Sequence, residues 1–273
     1  MPDEIWRRRV NRFKQLLGDG QPAVAYFATI PWPASIQIAG GYGMDAVIID
    51  LEHTSIGIET LEHMLAAAEL GGVSTLVRPA GLDPATVSRI LDSGAQGILF
   101  PHIETAEEAS LARRSMRYPP SGIRGWGGAH TRYAVWQGAS VLDGGLPAER
   151  GVYSDEYVTR TADYLITGFL IESVRGVANI DAILQAGTPD VVMFGRGDFS
   201  VEVAFDPEAC DQAWETVYDA CRQRGVGLSL AVAHAETRFY PGCFVTVGLD
   251  ALWLSAAIER AVRSGRDSVA SHG

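Results

Sequence analysis

Apolar residues along the chain gather into short runs that lack polar alternation: AVAYFA (23–28), AVIID (46–50), STLVR (74–78), GILFP (97–101), YLITGFLIE (164–172), VVMFG (191–195), GLSLAV (227–232) and ALWLS (251–255). Such runs predict parallel strands covered on both faces. Between them, apolar positions recur at helical spacing, as in ETLEHMLAAAEL (59–70), DPATVSRILDSG (83–94), AEEASLARRSM (106–116) and EACDQAWETVYDACRQRG (208–225). Eight strand–helix units within 273 residues predict an α/β protein built as one (β/α)8 TIM barrel over 1–273. The competing fold is an open doubly wound sheet. It lacks its fingerprint, because GGYGMDA and GIRGWGGAH both miss the GxGxxG spacing.

One stretch breaks the rhythm. Residues 137–163, QGASVLDGGLPAERGVYSDEYVTRTAD, are Gly-rich, polar and long for a connection. They follow the fourth predicted strand, so they should emerge at the face of a barrel that carries its active site and act there as an inserted loop or lid.

Composition removes several chemistries. With 22 Lys+Arg against 33 Asp+Glu the formal charge is −11, which argues against a nucleic-acid partner and offers no basic handle for an anionic membrane. Lys14 is the sole lysine; the other 21 basic residues are arginines. A Walker loop and a Schiff-base enzyme both need a lysine in the site, and Lys14 lies in an amphipathic N-terminal segment away from every candidate motif. The three cysteines are odd in number and have no CxxC spacing, and no apolar run approaches the ~20 residues of a membrane span. Together these predict a cytoplasmic protein with free thiols.

In a barrel, polar residues at strand C-termini meet at one mouth. Four predicted strands end in ionisable groups: Asp50, followed by Glu52 and His53; Arg78; Glu172; and Asp198, just beyond VVMFG. Glu172 and Asp198 together could ligate an octahedral divalent ion that keeps several waters. Arg78 and a histidine complete a plausible site, the arginine as a fixed cation beside the carboxylates. His53 could take up a hydroxyl proton near neutral pH. Of the other candidates, Glu62 and His63 read as a solvated helix face, His102 is balanced between mouth and scaffold, and His130 or His234 could reach the site from a loop or strand end. Trp126 and Trp136 could shape an apolar pocket.

The segments DAVIIDLEHTSIG, LVRP, LDSGAQGILFP, RYPPSGIRGWG, IES at Glu172 and GRGDFS at Asp198 occur in an order that resembles the HpcH/HpaI aldolases, from about Tyr26 to Leu254. The resemblance implies a class II, metal-dependent pyruvate aldolase, with Mg2+, Mn2+ or Co2+ on Glu172 and Asp198 and a 2-oxo acid substrate chelating the ion. It further implies Arg78 on the keto oxygen, His53 moving protons through a water, and Asp50 and Asp92 supporting that histidine; Phe27, Gly197, Arg196 and His130 are the candidates for facing substrate. Its assembly would be a homo-oligomer, a hexamer or trimer, with the C-terminal helix swapped onto a neighbouring subunit.

Leu51, Leu170 and Arg196 depart from the family's pattern. Arg196, two residues from Asp198, is expected to point away from a cation, either toward the distal part of an acidic substrate or into an ion pair with a carboxylate. Three alternatives share the site: condensation of the enolate with another electrophile by citrate-synthase-like or cycloaddition chemistry, oxaloacetate decarboxylation, and a non-catalytic metal-dependent binding module.

Overall fold

In the computed structural model, which describes residues 11–127 and 161–270, eight strands pair in sequence order, each parallel to the next, and close into a barrel when β8 pairs with β1. The strands are β1 Val24–Ala28, β2 Ala46–Asp50, β3 Ser74–Arg78, β4 Gly97–Phe100, β5 Ile166–Ile171, β6 Val191–Phe194, β7 Gly227–Ala231 and β8 Phe244–Leu249. Every residue of β2, β4 and β5 is buried, as unalternated apolar runs require.

The two-residue period of a strand sorts side chains between two packed layers. Ala25, Phe27, Ala46, Ile48, Leu76, Leu99, Ile166, Leu170, Val191 and Met193 fill the barrel, with Phe13 and Leu17 of helix α1 (Arg12–Gly18) in the same cluster. The alternate residues, including Tyr26, Val47, Ile49, Val77, Ile98, Phe169 and Ile171, pack against the surrounding helices. Helix α1 plugs the end at which the strands begin: the Phe13 N–H donates to Ser74 Oγ, and Lys14 Nζ reaches Leu165 O at 2.7 Å and Asp190 Oδ1 at 3.0 Å. The sole lysine is thereby fixed at the end of the barrel opposite the strand C-termini.

Several helices start where a side-chain cap is written. α2 (Pro33–Gly41) and α3 (Ile58–Gly71) follow β1 and β2, and α4 (Pro84–Asp92) opens on Asp83 with Pro84 in its first turn. α5 (Ala106–Ser115) opens on a capping box between Thr105 and Glu108. α6 (Val174–Ala178), α7 (Ile180–Gly187), α8 (Arg196–Glu202), α9 (Pro207–Arg224) and α10 (Val232–Arg238) complete the ring before the last element, α11 (Asp250–Ala270).

The eighth strand corrects the sequence reading. ALWLS lies in α11, and the strand is the preceding FVTVGL. A short apolar run does not by itself distinguish strand from helix. Here Asp250 decides: its carboxylate accepts from the Thr29 N–H and hydroxyl, from the Ile30 N–H and from the Ala251 N–H, which ties the start of α11 to the end of β1. Trp253 then packs on Tyr26, 5.3 Å between ring centroids. Beyond that contact the helix leaves the barrel, with Leu254, Ile258 and Val262 exposed. Residues 137–160 of the expected lid lie outside the described residues.

Candidate active site

The strand period that packs the barrel also builds its mouth. Asp50 is two residues beyond the inward-facing Ile48, Arg78 two beyond Leu76 and Glu172 two beyond Leu170, so all three project over the open end of the barrel. Asp50 and Arg78 are register partners on adjacent strands. Their side chains form a forked pair, Nε to Oδ1 at 2.9 Å and Nη2 to Oδ2 at 2.7 Å. Burial by itself would raise the Asp50 carboxyl; the Arg78 guanidinium and the main-chain N–H groups of Glu52 and His53 outweigh it and hold Asp50 below the ordinary carboxylate range. Burial would lower Arg78, but Asp50, Glu52 and Glu172 together raise it, so its charge is permanent. Its guanidinium carbon sits 5.1 Å from the centroid of the Phe27 ring, which places Phe27 at the mouth.

On the other side, Glu172 follows β5 and is almost fully buried. Its Oε1 accepts from the His102 N–H at 2.9 Å and lies 3.0 Å from His102 Nδ1. Burial and the adjoining Asp198 carboxyl, in the first turn of α8, push Glu172 up to about 7 against the opposing pull of His102. A Cβ on Gly195 would stand 2.5 Å from Glu172 Cβ and 2.7 Å from its Oε2, so the room for this carboxylate depends on the glycine. Glu52 links the two halves, with Oε1 2.9 Å from His102 Nε2 and Oε2 3.3 Å from Arg78 Nε.

Several sequence candidates take different partners. The His53 ring is exposed and lies 3.7 Å from Glu52 Oε2; Asp50 contacts the His53 main chain rather than its ring. Asp92, at the end of α4, bonds the buried Arg124 at 2.6 Å, and Arg124 in turn stacks on Tyr118. Asp50 is spent on the guanidinium facing it across the β2–β3 register, and Asp92 on a cation already buried beside it, so within one chain neither supports the histidine ring. Gly197 is exposed at the start of α8, with open space where a Cβ would stand. His234 packs on Trp214, Glu62 and His63 are exposed, and Trp126 lies against Tyr118. His130 and Trp136 fall outside the described residues. Glu52 and His102 were not assigned roles by sequence reasoning; the ionisable pair after β2 and the histidine just past the end of β4 were the available signals.

Arg196 pairs with Asp211 of α9 at 2.8 Å, and both side chains are more than half exposed. Of the two expectations for this residue, the structure shows the ion pair. Arg196→Ala should therefore leave kinetics with acidic and neutral substrates equally affected and change stability by about 0.5 kcal/mol or less. Steady-state kinetics on paired substrates checks this, and a loss confined to the acidic one would restore a recognition role.

Glu172 and Asp198 fit a divalent cation. They are two hard oxygen donors in contact, one of them buried and repelled by the other, and a cation between them relieves that repulsion. Among the described residues no cluster of three or more His, Cys, Asp or Glu side chains forms a ligand set, which is compatible with a pair of carboxylates completed by water and substrate oxygens.

The family model for HpcH/HpaI aldolase/citrate lyase matches residues 24–250, from the first strand to the first residue of the last helix. The chain belongs to this family. Its similarity to the 4-hydroxy-2-oxo-heptane-1,7-dioate aldolase of Shigella sonnei is 30% identity over 95% of this chain and 97% of that protein. The hydroxypyruvate/pyruvate aldolase of Pseudomonas aeruginosa is 29% identical, over 92% of this chain and 91% of its own. Among solved structures, an HpcH/HpaI aldolase/citrate lyase family protein from Burkholderia cenocepacia J2315 superposes with a TM-score of 0.80 at 24% identity, covering 94% of this chain and all of that one. Membership of this family accounts for the closed barrel of eight parallel strands, and the chain is an aldolase-type lyase by that membership.

Proposed function

We propose that this HpcH/HpaI family member is a divalent-metal-dependent aldolase that cleaves or forms the carbon–carbon bond next to the keto-bearing end of a 2-oxo acid, with a pyruvate- or oxaloacetate-type enolate as the shared intermediate. The observation that carries this is Arg78, a permanently charged guanidinium clamped by Asp50 at the mouth and electrostatically coupled to Glu172, in a protein whose only lysine is held at the opposite end of the barrel. When bound to Glu172 and Asp198, Mg2+, Mn2+ or Co2+ would supply positive charge to the keto oxygen and carboxylate of the substrate.

Arg78 donates to the developing oxyanion in an orientation fixed beforehand by Asp50, so no reorganisation is needed as charge appears. His53, exposed at the rim, takes the proton from the 4-hydroxyl as the C3–C4 bond breaks, directly or through a water, and returns it in the condensation direction. Phe27 walls the guanidinium on one side and limits its access to water. The names of the relatives support a 4-hydroxy-2-oxo acid as substrate and pyruvate as product. Incubating the protein with such an acid should release pyruvate with added Mg2+, Mn2+ or Co2+ and stop on addition of EDTA. Borohydride with pyruvate should leave Lys14 unmodified, and a trapped adduct on it would contradict the reading.

The assembly we propose is a homo-oligomer, a trimer or hexamer, with α11 docked on a neighbouring subunit. From 251 to 268 every residue of this helix is exposed except Ala256, and a 21-residue helix extends about 30 Å. Its exposed apolar side chains, Leu252, Trp253, Leu254, Ile258 and Val262, fall between 252 and 262, and a contiguous exposed apolar stretch of this kind marks an interaction surface. Light scattering should give a trimer or hexamer mass for the wild type and a smaller species for Leu254→Asp/Ile258→Asp; a monomeric wild type would refute the assembly. The buried free cysteines Cys210, Cys221 and Cys243 support a reducing, cytoplasmic location, and among the described residues no helix is long and apolar enough to cross a membrane.

A further inference from the structure

After β4 the chain turns through Pro101 and His102 before α5 begins. His102 has φ 52, in the left-handed region that a side chain other than glycine rarely adopts. That backbone turns both polar groups of one residue onto one oxygen: the main-chain N–H donates to Glu172 Oε1 at 2.9 Å, and ring Nδ1 stands 3.0 Å from the same atom. The other ring nitrogen, Nε2, is 2.9 Å from Glu52 Oε1, and Glu52 Oε2 in turn faces Arg78. The Oε2 of Glu172 remains on the side where Gly195 offers no side chain.

We propose that His102 is a positioning residue: it holds Oε1 of Glu172 against the protein so that Oε2 is the oxygen presented with Asp198, and its ring ties this carboxylate to Glu52 and the Arg78 side of the mouth. This rests on the assignment of Glu172 and Asp198 as the cation pair. A glutamate has three side-chain torsions, and two contacts to one oxygen remove most of the freedom that a cation would otherwise have to freeze on binding. Outer partners of this kind set ligand orientation and commonly change metal affinity by about ten- to a hundredfold when removed. The ring is 56% exposed, so it contributes little to the core and its removal should leave the fold intact.

The test is the Mn2+ affinity of the full-length protein, read from the free-ion EPR signal, for wild type, His102→Ala, His102→Asn and His102→Gln, with a melting curve for each. Asparagine tolerates the left-handed backbone but is too short to join Glu52 to Glu172, so His102→Asn isolates the ring from the strain. His102→Ala and His102→Asn should both weaken Mn2+ binding about ten- to a hundredfold, the asparagine variant at unchanged melting temperature and the alanine variant at a lower one because of its left-handed backbone. His102→Gln, long enough to reach one carboxylate, should recover part of the loss. Equal or tighter binding in the alanine and asparagine variants overturns the proposal while leaving the cation pair standing. A directly bonded imidazole nitrogen in the pulsed EPR spectrum of the Mn2+-loaded wild type also overturns it, by making His102 a ligand. Failure of the wild type to bind Mn2+ overturns the cation pair, and the positioning role with it.

Discussion

Arg78→Ala should lower kcat/KM by about a hundredfold to a thousandfold, the usual consequence of losing one oriented donor to a developing oxyanion. It should also destabilise the protein by about 3–5 kcal/mol, because the Arg78 and Asp50 side chains are only 12% and 2% exposed and the substitution strands a buried carboxylate. Two experiments separate these effects. Asp50→Leu combined with Arg78→Met removes both charges, so it should recover much of the stability and none of the activity. Arg78→Lys keeps the charge but loses the fork, and should fall between wild type and alanine in rate.

The pH dependence has a definite sign. In the wild type Asp50 is held below its unfolded value, so its stabilising contribution is complete above about pH 4 and is lost as pH falls through the lower folded value. In Arg78→Ala only the Glu52 and His53 N–H groups still oppose burial, so Asp50 rises relative to wild type and the stability gap between the two proteins should narrow as pH falls. Acid and neutral melting curves of the two proteins read this directly. A variant with wild-type stability and rate would make the pair incidental.

Glu172→Gln and Asp198→Asn should each abolish stoichiometric metal binding and with it turnover. Each leaves a single anionic donor where two are needed to hold a hard cation against its hydration shell. Glu172→Gln carries a second, opposite signature. In the metal-free protein a nearly buried carboxylate lies against another carboxylate, and the neutral isostere removes that repulsion. The metal-free variant should therefore melt above the metal-free wild type at pH 8, where the wild-type carboxyl is driven to ionise against its surroundings. Metal analysis after dialysis and paired melting curves test both parts. Retained stoichiometric metal in both variants would refute the ligand pair.

The barrel was legible because a strand covered on both faces leaves a plain record: AVIID and ITGFLI are apolar throughout and buried throughout. The rule that polar residues at strand C-termini meet at one mouth named Asp50, Arg78 and Glu172, and the two-residue period of the folded strands explains why they project there. ALWLS was misread because its composition suits a strand, while the deciding contact, Asp250 on the end of β1, spans the whole chain. The partners of Asp50, Asp92 and Arg196 were hidden for a related reason. Each had more than one oppositely charged or polar group that a sequence could bring to it, and the choice was made by strand register for Asp50, by the segment after α5 that buries Arg124 for Asp92, and by the packing of α8 on α9 for Arg196. His102 was undecided because a left-handed turn after Pro101 leaves no periodic trace, yet it is what aims the residue at Glu172.

The central claim is that this mouth stabilises a pyruvate enolate with a divalent cation rather than with a lysine. It is tested most directly by deuterium uptake at the methyl group of pyruvate in D2O, followed by mass spectrometry with no aldehyde present. Exchange should appear with Mg2+, Mn2+ or Co2+, vanish with EDTA and be absent in Glu172→Gln. Undiminished exchange by metal-free protein, or none with any of the three metals, would contradict the account.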